Sequence, residues 1–359
     1  MARSFHTRQR RSRGILLGAI ALFLAVQVVG GLLIDYRWTQ FRFPYAHERF
    51  HELDSEGHSP NLICLGSSRI QMHLHAPTLT ESMRRLTGRD DFLAFNGGIP
   101  TGDPITMEYA FAEYLKRGAR PEWVIVEICP ESINHHDEWF AQHVIRQWRW
   151  EDIAHHFVDI CRTNNLGRLA LARFVPLYLH RHQFVKMVRE HVAAREMQPP
   201  QPDQVRQSAK RVPAQLVSLQ RTSPASKAID PRLVEQCRAS AAHVSRDFRH
   251  YEIGGARLES LERLLANCQA HGCKILLLGA PVTSPHRAIY TPAIDAQYRN
   301  YVKHLQEKFG CEFFEGRECI PDHWFVDNHH ASLSGAMYFS QLLAEYVLSK
   351  HWAESAPPH

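Results

Sequence analysis

Cysteine is scarce, with eight in 359 residues and no C-x-x-C pair among them. That density is too low for a disulfide scaffold, the device by which small secreted domains make up for an inadequate core. The spacings Cys268 to Cys273 and Cys311 to Cys319 allow local bridges in an oxidising compartment, but buried free thiols fit them equally well. No repeat of 20 to 50 residues and no H-E-x-x-H helix occurs, which removes solenoids and the commonest zinc-hydrolase signature. Net charge is missing from the body of the chain. Arg3, Arg8, Arg10, Arg11 and Arg13 equal the whole formal net charge of +5, so everything after them balances. A neutral body argues against nucleic acid as a partner. At 44% hydrophobic and 22% charged residues, the composition also excludes wholesale disorder and collagen.

Long hydrophobic runs are limited to one, so the chain is not a polytopic transporter. Gly14 to Ile34 holds 21 residues with no charge and Gln27 as its only strongly polar side chain. As a helix it is about 31 Å long, the thickness of a bilayer's hydrocarbon core. Five arginines before it and Asp35 after it predict a cytoplasmic N-terminus, with the remainder outside, periplasmic or on the cell surface. Trp38, Phe41, Phe43 and Tyr45 read as an interfacial aromatic belt. A cleaved signal peptide is the rival, but its apolar region is shorter and ends in a small-x-small site that is absent here. Both readings export the rest of the chain.

The expected organisation is a basic stub at 1–13, a transmembrane anchor at 14–34, a juxtamembrane linker at 35–60, an α/β domain at 61–350 and a tail at 351–359. Asn61 to Leu65 is an apolar run ending in Gly66-Ser67-Ser68, with a helical pattern from Pro77 to Thr87. The unit recurs as Phe92 to Phe95, Asn96-Gly97-Gly98 and a helix through Met107, Tyr109, Ala110, Phe111 and Leu115. Trp123 to Ile128 and Ile275 to Leu278 are further strands, the latter after an amphipathic helix through Leu258, Leu261, Leu264, Leu265 and Cys268. Continuous apolar strands alternating with helices imply a doubly wound parallel sheet in three layers. The pattern is interrupted by an insertion at 131–254. Within it, 197–231 is rich in Gln, Pro, Ser and Lys and has too few apolar side chains to offset ordering entropy, so it is expected to be mobile.

Two segments carry the chemistry. Ser68 lies at a strand-to-helix turn, where Gly66 permits a tight path and the following helix N-terminus offers free N–H groups to a developing oxyanion. Gly-Ser-Ser is also ordinary turn chemistry. Near the other end stands Asp327-Asn328-His329-His330. A three-residue step lets a short turn present the Asp327 carboxylate to an imidazole Nδ1, which orients Nε2 to take a proton from a serine. The adjacent His329 is the competitor, and the spacing favours His330.

These residues resemble the SGNH hydrolase superfamily, also called GDSL esterases, over residues 61 to 130 and 273 to 347. Gly66-Ser67-Ser68 corresponds to its nucleophile block and Asp327-x-x-His330 to its C-terminal block. The resemblance implies a flavodoxin-like α/β fold, a Ser68–His330–Asp327 triad, oxyanion donors at Ser68 and Gly98, and no cofactor or metal. Arg69 and Asn96 are candidate substrate-binding residues. Ser67 stands where the family commonly has Asp, a variant similar to membrane-anchored relatives that modify cell-surface polymers. Cys129-Pro130-Glu131-Ser132 falls where Gly-x-Asn-Asp is expected, so the asparagine oxyanion donor is replaced by Glu131. The implied activity is transfer of an acyl group to or from a cell-envelope glycan or lipid-linked acceptor, of the O-acetyltransferase or D-alanylation type. The alternatives are a degenerate member serving in an envelope assembly with protein partners, and a metal-dependent hydrolase using Asp322-His323 with the nearby Asp327, His329 and His330, to which His135-His136 with Asp137, and His155-His156, would add ligands.

Overall fold

The computed structural model describes residues 2–135, 148, 150–162, 165–196 and 231–350. Two units divide the chain: Met1–Arg42 with Leu166–Ala228, and Phe43–Asn165 with Ile229–His359.

The second unit is built on five parallel strands, β1 (Leu62–Gly66), β2 (Ala94–Gly98), β3 (Trp123–Glu127), β4 (Lys274–Gly279) and β5 (Glu312–Glu315), in the order β2-β1-β3-β4-β5. This is the flavodoxin-like doubly wound order. The period of two along each strand sorts side chains between two cores. Ile63, Leu65, Val124, Val126, Ile275 and Leu277 pack on one face with the helices Pro104–Lys116, Gly255–Ala270 and Pro292–Phe309. Leu62, Cys64, Ile125, Leu276 and Leu278 pack on the other with Ala76–Thr87 and Leu333–Leu342. Each such fully buried aliphatic side chain contributes about 1.5–3 kcal/mol of transfer free energy. The apolar runs are continuous because both faces are covered.

Three sequence expectations change. Residues 44–55, expected as linker, form the helix Pro44–Ser55, whose Ala46, Phe50 and Leu53 join the first core. Phe43 stacks on Tyr109 at 3.8 Å between ring centroids, and Phe41 is 3% exposed against Phe184 and His180, so neither belongs to an exposed belt. The edge strand Glu312–Glu315 was not anticipated, because Glu-Phe-Phe-Glu lacks an apolar run and only the fold supplies its pairing with β4. The expected mobile stretch at 197–231 lies outside the described residues except for Pro231, which opens the helix Pro231–Val244.

The first unit contains the helix Ala2–Tyr36, within which Ser12–Tyr36 is long and apolar enough to cross a membrane. The helices Leu166–Phe174, Pro176–Leu179 and Arg181–Glu196 accompany it.

Candidate active site

The site forms at the carboxyl ends of β1, β2 and β3, where the strand order reverses direction around β1 and β3. Gly66 ends β1 because nothing larger fits: an added Cβ would lie 2.1 Å from Ile70 Cγ1 and 2.5 Å from Glu127 Oε2. Ser67 then adopts extended backbone and caps the helix Ser68–His73, its Oγ accepting from the Arg69 N–H at 3.1 Å. The Ser67 N–H and hydroxyl both donate to the buried Glu127 carboxylate, at 2.6 and 3.1 Å. Position 67 is thus tied to the sheet through Glu127, and Ser68 follows as the first helical residue.

The C-terminal block folds back on the same place. A bridge between Phe325 and Ala331 and the Val326 N–H to His330 carbonyl bond close a loop around Asp327 to His330. His330 Nδ1 lies 2.7 Å from Asp327 Oδ2, and His330 Nε2 lies 2.7 Å from Ser68 Oγ. Asp327 Oδ1 accepts the backbone N–H groups of His329 and His330 at 2.9 and 2.8 Å. Burial opposes ionisation of Asp327, but its bond to His330 and these N–H groups outweigh it and hold the carboxyl well below the usual range. An ionised Asp327 accepts from Nδ1–H, which leaves Nε2 as the acceptor for the Ser68 hydroxyl.

The His329 ring lies against both His330 and His286, at 4.2 and 5.6 Å between centroids, but it bonds to neither Ser68 nor the Asp327 carboxylate through its side chain. Burial first, then the Arg69 charge, lowers its imidazole to about 2, so it stays neutral. The competition between the two histidines is decided by the loop, which gives His330 both the carboxylate and the serine.

Two residues in the site, His286 and Tyr290, had no sequence signal, and they join Arg69 and Glu131 in one cluster. Arg69 is 7% exposed and its guanidinium donates to Glu131 at 2.6 and 3.4 Å. Glu131 Oε1 also accepts from His286 Nε2 at 2.7 Å and the Tyr290 hydroxyl at 2.9 Å. Burial disfavours its charge, yet Arg69 and His286 more than compensate and hold its carboxyl well below the usual range. Asn328 Nδ2 donates to His286 Nδ1 at 3.0 Å, while its carbonyl accepts the Thr283 N–H and hydroxyl at 3.1 and 2.9 Å. A chain of contacts from Arg69 through Glu131 and His286 to Asn328 therefore joins the serine's helix to the loop that carries Asp327 and His330. Arg69, expected to face substrate, has its main bonds inside this cluster.

The expected oxyanion and substrate-binding groups require two corrections. Asn96 Nδ2 donates to the carbonyls of Ile70, Gln71 and Leu74, at 3.1, 3.2 and 2.6 Å. Its amide closes the C-terminal end of the serine's helix and is not presented to a ligand. The Gly98 N–H is given to Asn96 Oδ1 at 3.0 Å. Glycine is still required at position 98 by close approach, since a Cβ would lie 2.3 Å from the Gln71 nitrogen. Glu131 accepts hydrogen bonds as an anion and cannot stand in for the asparagine donor.

A cavity of about 130 Å³ opens beside these groups, with Ser68, Arg69, Gly102, Met107, Val244 and His329 in its lining. Thr101, also in its wall, holds a φ of 59°, an uncommon conformation for a β-branched residue. Cys129 is no rival nucleophile, because burial pushes its thiol up to about 12.

The metal reading has two geometric candidates among the described residues, Asp327 with His329 and His330, and His155 with His156 and Glu259. In the first, both nitrogens of His330 are already engaged by Ser68 and Asp327, so a metal would have to break that relay. Asp322 accepts the Ser284 N–H at 2.9 Å and its hydroxyl, and so holds a neighbouring turn. His136 and Asp137 lie outside the described residues.

His73 sits behind the relay, fully buried between Phe325 and Phe339 at 5.9 and 6.4 Å. Burial, then Arg69 and His330, lowers its pKa from 6.5 to about 3. The folded state thus refuses a proton that the unfolded chain accepts below 6.5, so stability present above that pH falls as the solution is acidified toward 3. One such site is worth about 1.4 kcal/mol per pH unit. Urea unfolding of the full chain between pH 6 and 5 should show a shallower pH slope for His73→Leu by about that amount. Equal slopes would refute the assignment.

No protein-family model matches the chain, and no curated protein does. Among solved structures, two variants of an acetylxylan or acetyl-xylooligosaccharide esterase from Geobacillus stearothermophilus align at 12% identity. They cover 79% and 80% of this chain and 91% and 94% of theirs, with TM-scores of 0.34 and 0.35. A Bacteroides fragilis protein described as an acylhydrolase aligns at 9% identity, covering 84% of this chain and 96% of its own, with a TM-score of 0.35. Scores this low do not establish shared architecture, and the α/β fold of this chain stands on its own strand order and register.

Proposed function

We propose that this protein is a membrane-anchored serine esterase or O-acyltransferase acting outside the cytoplasm on an ester of a cell-envelope glycan or lipid-linked acceptor. The observation that carries the chemistry is the unbroken relay from Ser68 Oγ through His330 to Asp327. Ser68 Oγ attacks the donor's carbonyl carbon as its proton passes to His330 Nε2. Asp327 holds the resulting imidazolium. The alcohol leaves with that proton and an acyl-Ser68 ester remains. His330 then takes a proton from an acceptor hydroxyl or water, the acyl carbon is attacked, and Ser68 regains its proton. The Ser68 N–H at the start of its helix is the donor available to the oxyanion. The small cavity favours a short acyl group.

The anchored, extracytoplasmic setting rests on the length of the apolar helix and the charges flanking it. A second reading, a degenerate member of an envelope assembly, is favoured by one observation: Asn96, Gly98 and Glu131 are all engaged internally. Losing an oxyanion donor typically lowers rate by 10² to 10³. Incubating the full chain in detergent with an activated acetyl ester and an oligosaccharide acceptor distinguishes the two. Acyl-oligosaccharide or free acetate in excess over the Ser68→Ala variant supports the enzyme. No product above that variant, with the fold intact, leaves the assembly reading.

A further inference from the structure

The apolar helix changes character along its length. From Ser12 to Val26 every side chain is exposed, as a lipid-facing segment would be. From Gln27 onward one stripe turns inward: Gln27, Gly30, Ile34 and Asp35 are buried. The spacing of three and four residues marks a single helix face covered by protein.

The cover comes from the helices between Leu166 and Glu196. Leu177 lies so close to Gly30 that an added Cβ would meet its Cδ2 at 2.7 Å, and Pro176 lies 3.4 Å from the same point at Gly31. The Leu177 N–H donates to Gln27 Oε1 at 3.4 Å, which satisfies the one strongly polar side chain of the run. Asp35, 2% exposed, pairs with Arg173 at 3.1 Å and with Arg42. Trp38 and Phe41 close on Phe184 at 5.7 and 4.6 Å between centroids.

The outer surface of this cover is apolar and basic. Leu171, Phe174, Tyr178, Val185 and Val188 are 46 to 64% exposed. Between residues 166 and 189 four basic side chains are exposed, Arg168, Arg181, Lys186 and Arg189, and there is no acidic residue. Arg181 lies over the Tyr178 ring at 4.2 Å, a pair whose aromatic body suits the acyl boundary and whose charge suits the headgroups. This face is continuous with a helix fit to span a bilayer, and it attaches over about the last three turns of that helix.

We infer that residues 166–188 form a collar seated in the interface of the extracytoplasmic leaflet, with Phe174, Tyr178 and Val188 against lipid, and that the collar retains the helix as an anchor. This rests on the reading of Gly14 to Ile34 as a span. Apolar helices beside a membrane lie in the headgroup and acyl boundary when they carry basic side chains on the remaining surface.

The test uses the full chain in lipid nanodiscs containing anionic lipid, with Cys161 and Cys319 changed to Ser. Spin labels are placed singly by Leu22→Cys in the span, Phe174→Cys and Val188→Cys in the collar, and Lys303→Cys on the α/β unit. The readout is accessibility to oxygen against a soluble nickel chelate. The collar sites should favour oxygen severalfold over the Lys303 site and fall short of the Leu22 site. If Phe174 and Val188 match Lys303 while Leu22 remains oxygen-dominated, the collar is refuted and the anchor stands. If Leu22 is also open to nickel, the anchor reading falls and the collar with it.

Discussion

Replacing Ser68 with alanine should lower turnover of a short acyl ester by about 10⁴-fold or more and abolish covalent labelling by a fluorophosphonate. The size follows from removing the nucleophile of a relay whose members act together, so His330→Ala should fall in the same range and the double variant should fall little further. Asp327→Asn keeps the loop but offers Nδ1 the wrong partner, which allows the unproductive tautomer and costs about 10⁴. His329→Ala is the internal control. Its ring lies outside the relay, so the loss should stay within about tenfold, well short of the loss from a triad member. Were His329→Ala to match His330→Ala, or Ser68→Ala to retain turnover, the proton path described by the 2.7 Å contacts would be wrong.

Truncating Glu131 to alanine is expected to destabilise the α/β unit by about 3–5 kcal/mol, read as a lower urea midpoint. The cause is the charge left behind. Arg69 is buried, its guanidinium donates to Glu131, and His286 and Tyr290 bond to the same carboxylate. Without it a guanidinium is stranded away from water and two further polar groups lose their partner. The double variant Arg69→Met with Glu131→Leu removes both charges together and should recover most of that stability, since a buried pair roughly breaks even against apolar packing. An additive loss in the double variant would mean that Arg69 and Glu131 do not act as a pair. Activity should be lowered in Glu131→Ala as well, because His286 and Asn328 connect this carboxylate to the loop bearing His330.

The strands on either side of the nucleophile were legible because burial on both faces demands unbroken apolar runs, and Leu62 to Leu65, Trp123 to Val126 and Ile275 to Leu278 satisfy that demand locally. The edge strand at Glu312 was not legible, since an edge needs only one partner and Glu-Phe-Phe-Glu neither alternates nor forms an apolar run, with Glu312 exposed and the other three half-buried. The pairing of Asp327 with His330 was readable from a three-residue step, because a short turn fixes both ends. Asn96 looked like a ligand group for the opposite reason. Its sequence context places it at a strand end, and only the helix lying 2.6 to 3.2 Å from its amide shows that its hydrogen-bonding capacity is used.

Local rules alone determined the anchor-like helix, the alternation of strands and helices, and the two segments able to hold a nucleophile and its base. All of these depend on neighbours within a few turns of the chain. Tertiary structure decided which histidine meets Ser68, what Glu131 does in place of an asparagine, and which face of the apolar helix is covered by residues 166–188. These outcomes depend on groups 62 to 262 positions apart along the chain, as with Arg69 and Glu131 or Ser68 and His330. Their encounter is set by how layers pack, and no local propensity encodes it.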